Sequence, residues 1–179
     1  MTLGETLLRG ARMAIASSFG GPPPETPPPM ERLFDLGACF VTLTVHGELR
    51  GCVGNIVADG PLWDALLHNA HAAAFRDHRF PPLSSSELER AHISVSVLSP
   101  LETVPAGTEA ILIARLRLGS DGVVLRWQGR SVTFLPQMWD RLPEPSEFLL
   151  QLRRKGGMPT DRWPEGMGAA TFTIEEYSE

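Results

Sequence analysis

The chain is poor in cysteine and has no long apolar run. Two cysteines among 179 residues are too few for the disulfide framework of a small secreted domain. No segment approaches the ~18 consecutive apolar residues that a membrane-spanning helix requires. Residues 1–20 also lack the continuous apolar core of a secretory signal. We therefore expect a cytoplasmic protein that has free thiols and no membrane span.

Positive charge is also scarce. The chain has 16 Lys and Arg residues against 21 Asp and Glu residues, which gives a formal net charge of -5. An acidic chain offers no broad positive field to the phosphates of a nucleic acid, so we expect no nucleic-acid partner unless arginines cluster on one face. Lys155 is the single lysine, so planar guanidinium groups supply nearly all the positive charge.

The hydrophobic patterning predicts a mixed α and β protein. Residues 1–19 form an amphipathic pattern typical of a helix, and six prolines in residues 20–29 predict an extended surface connector. Turn residues flanked by alternating apolar residues predict two β-hairpins, with turns at His46–Glu48 and Gln128–Gly129. The basic run Arg153–Lys155, followed by two glycines, is typical of the C-terminal end of a helix.

The remaining elements follow from the same patterns. They are a helix from Pro61, a strand with Ile93, Val95 and Val97 on one face, a short helix to about Ala114, helices over 136–142 and 145–157, and one closing strand over 169–179. Strands and helices mix without regular alternation. This predicts an α+β fold, a mainly antiparallel sheet flanked by helices, in one domain over residues 1–179.

The stretch HGELRGCVGN, residues 46–55, carries the most distinctive chemistry. A two-residue turn at His46–Gly47 would place Cys52 opposite Val41 and Arg50 opposite Leu43. A three-residue turn would place them opposite Thr42 and Thr44 instead, on a polar face. We favour the second register, because a buried arginine without a partner is costly. Neither register brings Cys39 and Cys52 into good disulfide geometry.

Cys52 has two interpretations. A thiolate is a nucleophile, a nearby guanidinium such as that of Arg50 stabilises it, and Gly51 and Gly54 allow a substrate to approach closely. Alternatively, Cys52 is a small apolar residue that fills a strand, and packing imposes the glycines. The residues by themselves leave both interpretations open.

A second group of polar residues follows the helix that begins at Pro61. Asp77 and Arg79 flank His78, and Asp77 could orient Arg50 or act as an acid or base beside Cys52. A loop aspartate that caps local amides is the alternative.

The sequence gives no positive sign of a metal or cofactor site. Three histidines, His68, His71 and His78, lie close in sequence, but no acidic or cysteine ligand completes a known metal-binding spacing. The sequence also contains no G-x-S-x-G motif and no glycine-rich phosphate loop. We expect no metal and no cofactor.

Several blocks of the sequence resemble, in order, the AMME chromosomal region protein family, whose bacterial and archaeal members are called AmmeMemoRadiSam system protein A. The blocks are ELRGCVGNI (48–56), AAAFRDHRFPPLSSSELERAHISVSVLSPLETV (72–104), GVVLRWQGRSVTFLPQMW (122–139) and EFLLQLRRKGGMPTDRW (147–163). The resemblance runs from about residue 3 to the C-terminus, and the L-R-G-C-x-G block is its most specific part.

The resemblance implies an α+β fold with a larger and a smaller lobe and a cleft that includes Arg50 and Cys52. The family's D-P-R-F block matches Asp77, Arg79 and Phe80, with His78 replacing the usual proline. Its L-P-Q block matches residues 135–137. The candidate catalytic residues are therefore Cys52, Arg50 and Asp77, and the candidate substrate-binding residues are Gly51, Gly54, Arg79, Phe80 and Gln137.

Two functional hypotheses follow. In the first, the protein is an enzyme that uses Cys52 as nucleophile on a nucleotide, a nucleobase or a small metabolite. The resemblance also implies a Memo-type protein and a radical-SAM protein as partners. In the second, the protein is a non-catalytic ligand-binding or scaffold module that recognises a ligand or a partner protein through the Arg50–Cys52 cleft.

Overall fold

The helices and strands largely follow the predicted patterning. The structure, a computed structural model, describes residues 1–179. Its helices are α1 (Leu3–Ala16), α2 (Glu31–Phe34), α3 (Leu62–Phe75), α4 (Ser85–Leu88), α5 (Glu109–Ile113) and α6 (Pro145–Lys155), with 3-10 helices at Ser17–Phe19 and Pro136–Asp140. Its strands are β1 (Cys39–Val45), β2 (Glu48–Gly54), β3 (Ala91–Leu98), β4 (Glu102–Val104), β5 (Gly122–Trp127), β6 (Arg130–Phe134), β7 (Gly168–Phe172) and β8 (Ile174–Ser178). None of the helices combines the length and the hydropathy of a membrane span.

The chain divides into two units. The larger unit comprises Met1–Leu98 with Glu175–Glu179, and the smaller comprises Ser99–Ile174. One four-stranded sheet has the strand order β2-β1-β3-β8, and the other has the order β4-β7-β5-β6. The predicted α+β fold built on antiparallel pairing is confirmed.

The single closing strand predicted over residues 169–179 is wrong. It is two strands, β7 and β8, which belong to different sheets. The break falls at Thr173, whose amide donates to Ser99 Oγ (2.9 Å) and whose carbonyl accepts from the Ser99 amide (2.8 Å). These two bonds take Thr173 out of the strand pairing on either side.

One face of the first sheet packs against α1 and α3. Val41 and Leu43 on β1 and Ile93 and Val95 on β3 are completely buried, which confirms the face predicted for β3. Each such side chain contributes about 1.5–3 kcal/mol relative to exposure. They form a single hydrophobic core with residues of both helices, among them Leu7, Ile15, Leu66, Ala70 and Ala73.

The cysteine hairpin combines features of both predicted registers. The turn has two residues, His46 and Gly47, with φ of 54° and 80°, as in a type I′ turn. Cys52 nevertheless pairs with Thr42, because the register shifts by one residue further along the hairpin. Arg50 is the additional residue of the resulting β-bulge, since its neighbours are both paired. The predicted Cys52–Thr42 pair is confirmed, whereas the three-residue turn and the Arg50–Thr44 pair are wrong.

Gly51 brings β2 against α3. A methyl group at this position would overlap the carbonyl oxygen of Ala73 on α3. Only a residue without a Cβ permits this approach, which brings the start of the loop after α3 close to Cys52. The glycine is therefore a packing requirement of the hairpin.

The smaller unit has its own core. Strand β5 contributes the buried Val123 and Leu125, and α6 contributes Phe148, Leu149 and Leu152. The Trp139 ring stacks on the Phe148 ring with a centroid separation of 3.8 Å. These contacts hold the 3-10 helix at Pro136–Asp140 against α6.

The close approach at Gly51 generates a stability prediction. Substitution of Gly51→Ala should lower the free energy of unfolding by about 3 kcal/mol, because the new methyl group meets backbone and forces β2 and α3 apart. Gly60→Ala is the matched control, since nothing lies within 4 Å of a Cβ there. Urea denaturation measures both changes, and equal stabilities for the two variants would contradict the packing.

Candidate functional site

The two thiols lie in different environments. Cys39 is completely buried, and burial raises its pKa to about 11. Cys52 is only half-buried on β2, and its Sγ accepts a hydrogen bond from the Thr42 hydroxyl at 3.4 Å. Both thiols are free, as predicted. A reagent in solution can therefore reach Cys52 far more readily than Cys39.

Asp77 connects the cysteine strand to the loop after α3. Its side chain is 7% exposed, and its Oδ2 accepts a hydrogen bond from the backbone amide of Cys52 at 2.9 Å. The same carboxylate accepts bonds from the Arg79 side chain, at 3.0 Å from Nε and 2.7 Å from Nη2, and from the Arg79 amide at 3.1 Å. The Arg79 hydrogen bonds hold the pKa of the Asp77 carboxyl well below its usual range. Asp77 is therefore a fixed anion at neutral pH.

Arg79 lies beside Cys52 and faces solvent. Its side chain is 58% exposed, and Nη2 lies 3.5 Å from the Cys52 carbonyl oxygen. The hydrogen bonds that Arg79 donates to Asp77 raise the pKa of Arg79. Asp77 and the Cys52 carbonyl engage Nε and Nη2, so Nη1 is the part of the guanidinium left for a ligand.

Arg50, the bulge residue, pairs with a carboxylate that the sequence reasoning missed. Its Nε donates to Glu87 Oε1 at 2.8 Å and its Nη2 donates to Glu87 Oε2 at 3.1 Å. Its Nη1 donates to the Pro81 carbonyl at 2.9 Å. The Arg50 side chain is 13% exposed. The arginine expected to serve the thiol thus has its own partly buried counterion.

Glu87 has a second, local role. The Ser84 hydroxyl caps the N-terminus of α4, and the Glu87 carboxylate accepts the Ser84 amide at 2.9 Å. The S-x-x-E pattern at Ser84–Glu87 signals this capping box in the sequence. Nothing local signals Arg50 as the further partner. The Arg50 hydrogen bond is the main cause that lowers the pKa of Glu87 from its ordinary 4.5 to about 2.

Of the predicted substrate-binding residues, Phe80, Gly51 and Gly54 lie near Arg50 or Cys52 in the larger unit, and Gln137 lies in the smaller unit. The Phe80 ring lies 5.9 Å from the Arg50 guanidinium carbon and 5.5 Å from that of Arg79. Gly51 and Gly54 border Cys52 on β2, and a Cβ on Gly54 would overlap the Phe40 ring. Gln137 is exposed on the 3-10 helix of the smaller unit, and its role stays a prediction.

The larger unit therefore gathers Cys52, Asp77, Arg79, Arg50 and Phe80 into one cluster, and adds Thr42 and Glu87. His71 packs against Phe75 with a centroid separation of 4.9 Å, and burial lowers its pKa. No group of His, Cys, Asp or Glu side chains is arranged to hold a metal ion.

Comparison with known proteins places the chain among relatives of the same kind. A sequence model of the family described as AMMECR1 matches residues 8–177. Protein MK0488 of Methanopyrus kandleri is 37% identical over 169 residues, which cover 89% of this chain and 80% of that protein. A protein of Thermococcus onnurineus is 36% identical over 98% of this chain and 90% of its own length.

A solved structure has the same fold. The crystal structure of the uncharacterized protein PH0010 from Pyrococcus horikoshii matches with a TM-score of 0.88 and 31% sequence identity. The match covers 98% of this chain and 91% of that chain. These matches confirm the resemblance that the L-R-G-C-x-G block indicated.

The Arg50–Glu87 pair predicts a stability change in acid. The pKa of Glu87 is lowered to about 2. The ionised carboxylate therefore contributes fully to the free energy of unfolding above about pH 4.5, and this contribution is lost as the pH falls toward 2. Glu87→Gln should lower the free energy of unfolding at pH 7 by about 2 kcal/mol, since a mostly buried guanidinium loses its counterion. Its unfolding free energy should also fall less steeply than the wild type's between pH 4.5 and pH 2.

The matched control for this prediction is Glu89→Gln. Glu89 lies on the same segment and is exposed, so its substitution should leave both the stability at pH 7 and the acid slope nearly unchanged. Chemical denaturation at a series of pH values measures all three proteins. If the unfolding free energies of the wild type and Glu87→Gln fell equally steeply between pH 4.5 and pH 2, the assigned role of the Arg50–Glu87 pair would be contradicted.

Proposed function

This chain belongs to the AMMECR1 family, and from that premise we propose that it is an enzyme that uses Cys52 as nucleophile. Its substrate is a nucleotide, a nucleobase or a small metabolite that carries an anionic group. The observation that carries the proposal is the Cys52–Asp77–Arg79 chain, in which one buried carboxylate binds both the amide of the cysteine and an exposed guanidinium.

Arg79 supplies the cation of the proposed site. A guanidinium binds carboxylate or phosphate oxygens in a planar fork, and Arg79 keeps Nη1 available while Asp77 holds the rest of the group in place. A ligand anchored there lies close to Cys52, whose carbonyl oxygen is 3.5 Å from Nη2. In the reaction, the Cys52 thiol loses its proton to water, Sγ bonds to an electrophilic carbon of the substrate, and the leaving group departs with the electron pair of the bond that breaks.

The roles of Arg50 and Asp77 differ from those first expected from the sequence. The Arg50 guanidinium is occupied by Glu87, so we assign it to holding β2 against α4 rather than to binding substrate. Asp77 stays ionised at neutral pH because its pKa is lowered, and a carboxylate of such low basicity is a poor proton acceptor. In the proposal, Asp77 is a positioning residue for Arg79 and Cys52.

The alternative function is a module that binds an anionic ligand or a partner protein at the same cluster without reacting with it. One observation favours it. The hydrogen-bond partner of Sγ is the Thr42 hydroxyl, which is not a base. Cys52→Ser distinguishes the two functions. A covalent Cys52 adduct that forms in the wild type and not in Cys52→Ser, detected by intact-protein mass spectrometry, indicates the enzyme. A ligand that binds both proteins without an adduct indicates the binding module.

The proposal also includes the partners that the family resemblance implies, namely a Memo-type protein and a radical-SAM protein, and their support is the family membership. It also includes the cytoplasm as location, which the low cysteine content supports. Co-purification of the full chain with each partner, expressed together, tests the partners separately from the chemistry of Cys52.

Anionic and neutral alkylating reagents test whether Arg79 serves the thiol. Iodoacetate and iodoacetamide react with the same sulfur, but only iodoacetate is attracted by the guanidinium. We define the ratio as the rate of Cys52 alkylation by iodoacetate divided by the rate by iodoacetamide. In Arg79→Gln this ratio should fall by up to about fivefold, since an exposed charge contributes up to ~1 kcal/mol to the attraction of an anion. Peptide mapping assigns the modified cysteine.

Arg9→Gln is the matched control for this measurement. Arg9 is 53% exposed and also pairs with a carboxylate, Glu25, in the same unit. Its loss should leave the ratio of rates unchanged. An unchanged ratio in Arg79→Gln would overturn the assignment of Arg79 as the anion-binding group beside Cys52.

A further inference from the structure

The smaller unit contains a groove that the Cys52 chemistry does not use. It has a volume of about 590 Å³, within the range of ligand-binding clefts. It lies between the end of β6, the 3-10 helix and the last turns of α6. Its lining consists of Phe134, Met138, Arg141, Leu142, Gln151, Arg154 and Lys155. The basic end of α6, which the sequence explains as a favourable helix C-terminus, thus also borders a cavity.

The floor of the groove is apolar. Phe134, Met138 and Leu142 are each half-buried, so part of every one of these side chains remains open to solvent. The Phe134 ring is held edge-on against the buried Phe148 ring, at a centroid separation of 5.3 Å. A methionine beside two anchored apolar groups adapts to side chains of different shape. The floor therefore suits one or two apolar side chains of a partner.

The rim of the groove is cationic. Arg141 and Arg154 are exposed, and neither is paired with a carboxylate. Arg154 Nη1 donates only to Gln151 Oε1, at 3.2 Å. Lys155 donates to the Thr133 carbonyl and lies over the Phe134 ring. No carboxylate lines the groove, although the whole chain has a net charge of -5.

From this charge complementarity we propose that the groove binds an acidic peptide segment of a partner protein, with an apolar side chain seated on the Phe134–Met138–Leu142 floor. The two arginines lie on different elements, so they match carboxylates spaced along a chain rather than a single phosphate. Both ends of the Gln151 amide are engaged, by Glu147 at 2.6 Å and by Arg154. The amide keeps one N–H and one oxygen lone pair for the backbone of such a peptide.

Fluorescence anisotropy of labelled synthetic peptides tests the proposal on the full chain. The probe is a short peptide with a central leucine and phenylalanine flanked by glutamates. One comparison peptide replaces the glutamates with lysines, and another replaces the two apolar residues with serines. Only the first peptide should bind well. The double variant Arg141→Gln, Arg154→Gln should bind it about tenfold more weakly, and addition of salt should weaken binding to the wild type.

Arg115→Gln is the matched control, since Arg115 is an exposed arginine of the same unit that does not line the groove. It should change the affinity less than twofold, in line with a charge remote from the ligand. Absence of binding, equal binding of all three peptides, or equal losses in the Arg115 and double variants would overturn the proposal. Displacement of the acidic peptide by adenosine monophosphate at similar concentration would overturn it in favour of a nucleotide. The Cys52 proposal is independent of every one of these outcomes.

Discussion

The buried carboxylate of Asp77 is the constraint on which the cysteine site depends. A carboxylate that is 7% exposed must satisfy its oxygens with donors, and here the donors are the Cys52 amide and the amide and side chain of Arg79. These bonds fasten the loop after α3 to β2 and keep a guanidinium beside the backbone of the half-buried Cys52. Without that anion, Arg79 would be one more mobile surface arginine.

Packing of the backbone makes this arrangement possible. Gly51 lets β2 touch the carbonyl of Ala73 on α3, and the bulge at Arg50 shifts the register so that Cys52 pairs with Thr42. The shift also frees Arg50 to reach Glu87 on α4. One arginine therefore holds two elements together, while the other faces solvent. The L-R-G-C-x-G motif suggests that its own arginine, Arg50, binds the anionic group of the substrate. In our proposal Arg79, from the loop after α3, does so instead.

Much of the fold was predictable because its signals are local. Each of these signals is contained in a short stretch of sequence. Examples are the alternating apolar residues of β3, the His46–Gly47 turn and the proline that precedes α3. The candidate site was only partly predictable. The residues that come together were named, but their pairing was not, since Arg50 and Glu87 lie 37 positions apart and no local pattern connects them. The bulge at Arg50 and the break at Thr173 depend on contacts with other strands and loops. The local sequence reads as a continuous strand at both places, so neither feature could be predicted from it.

The Cys52 amide resonance in a nuclear magnetic resonance titration tests the central role of Asp77 most directly. An amide that donates to a carboxylate of lowered pKa should resonate downfield and keep its shift as the pH falls from neutral to below 3.8, the ordinary pKa of the group. It should move upfield in Asp77→Asn. A Cys52 amide whose shift titrates with a midpoint near 3.8, or that does not respond to Asp77→Asn, would contradict the account.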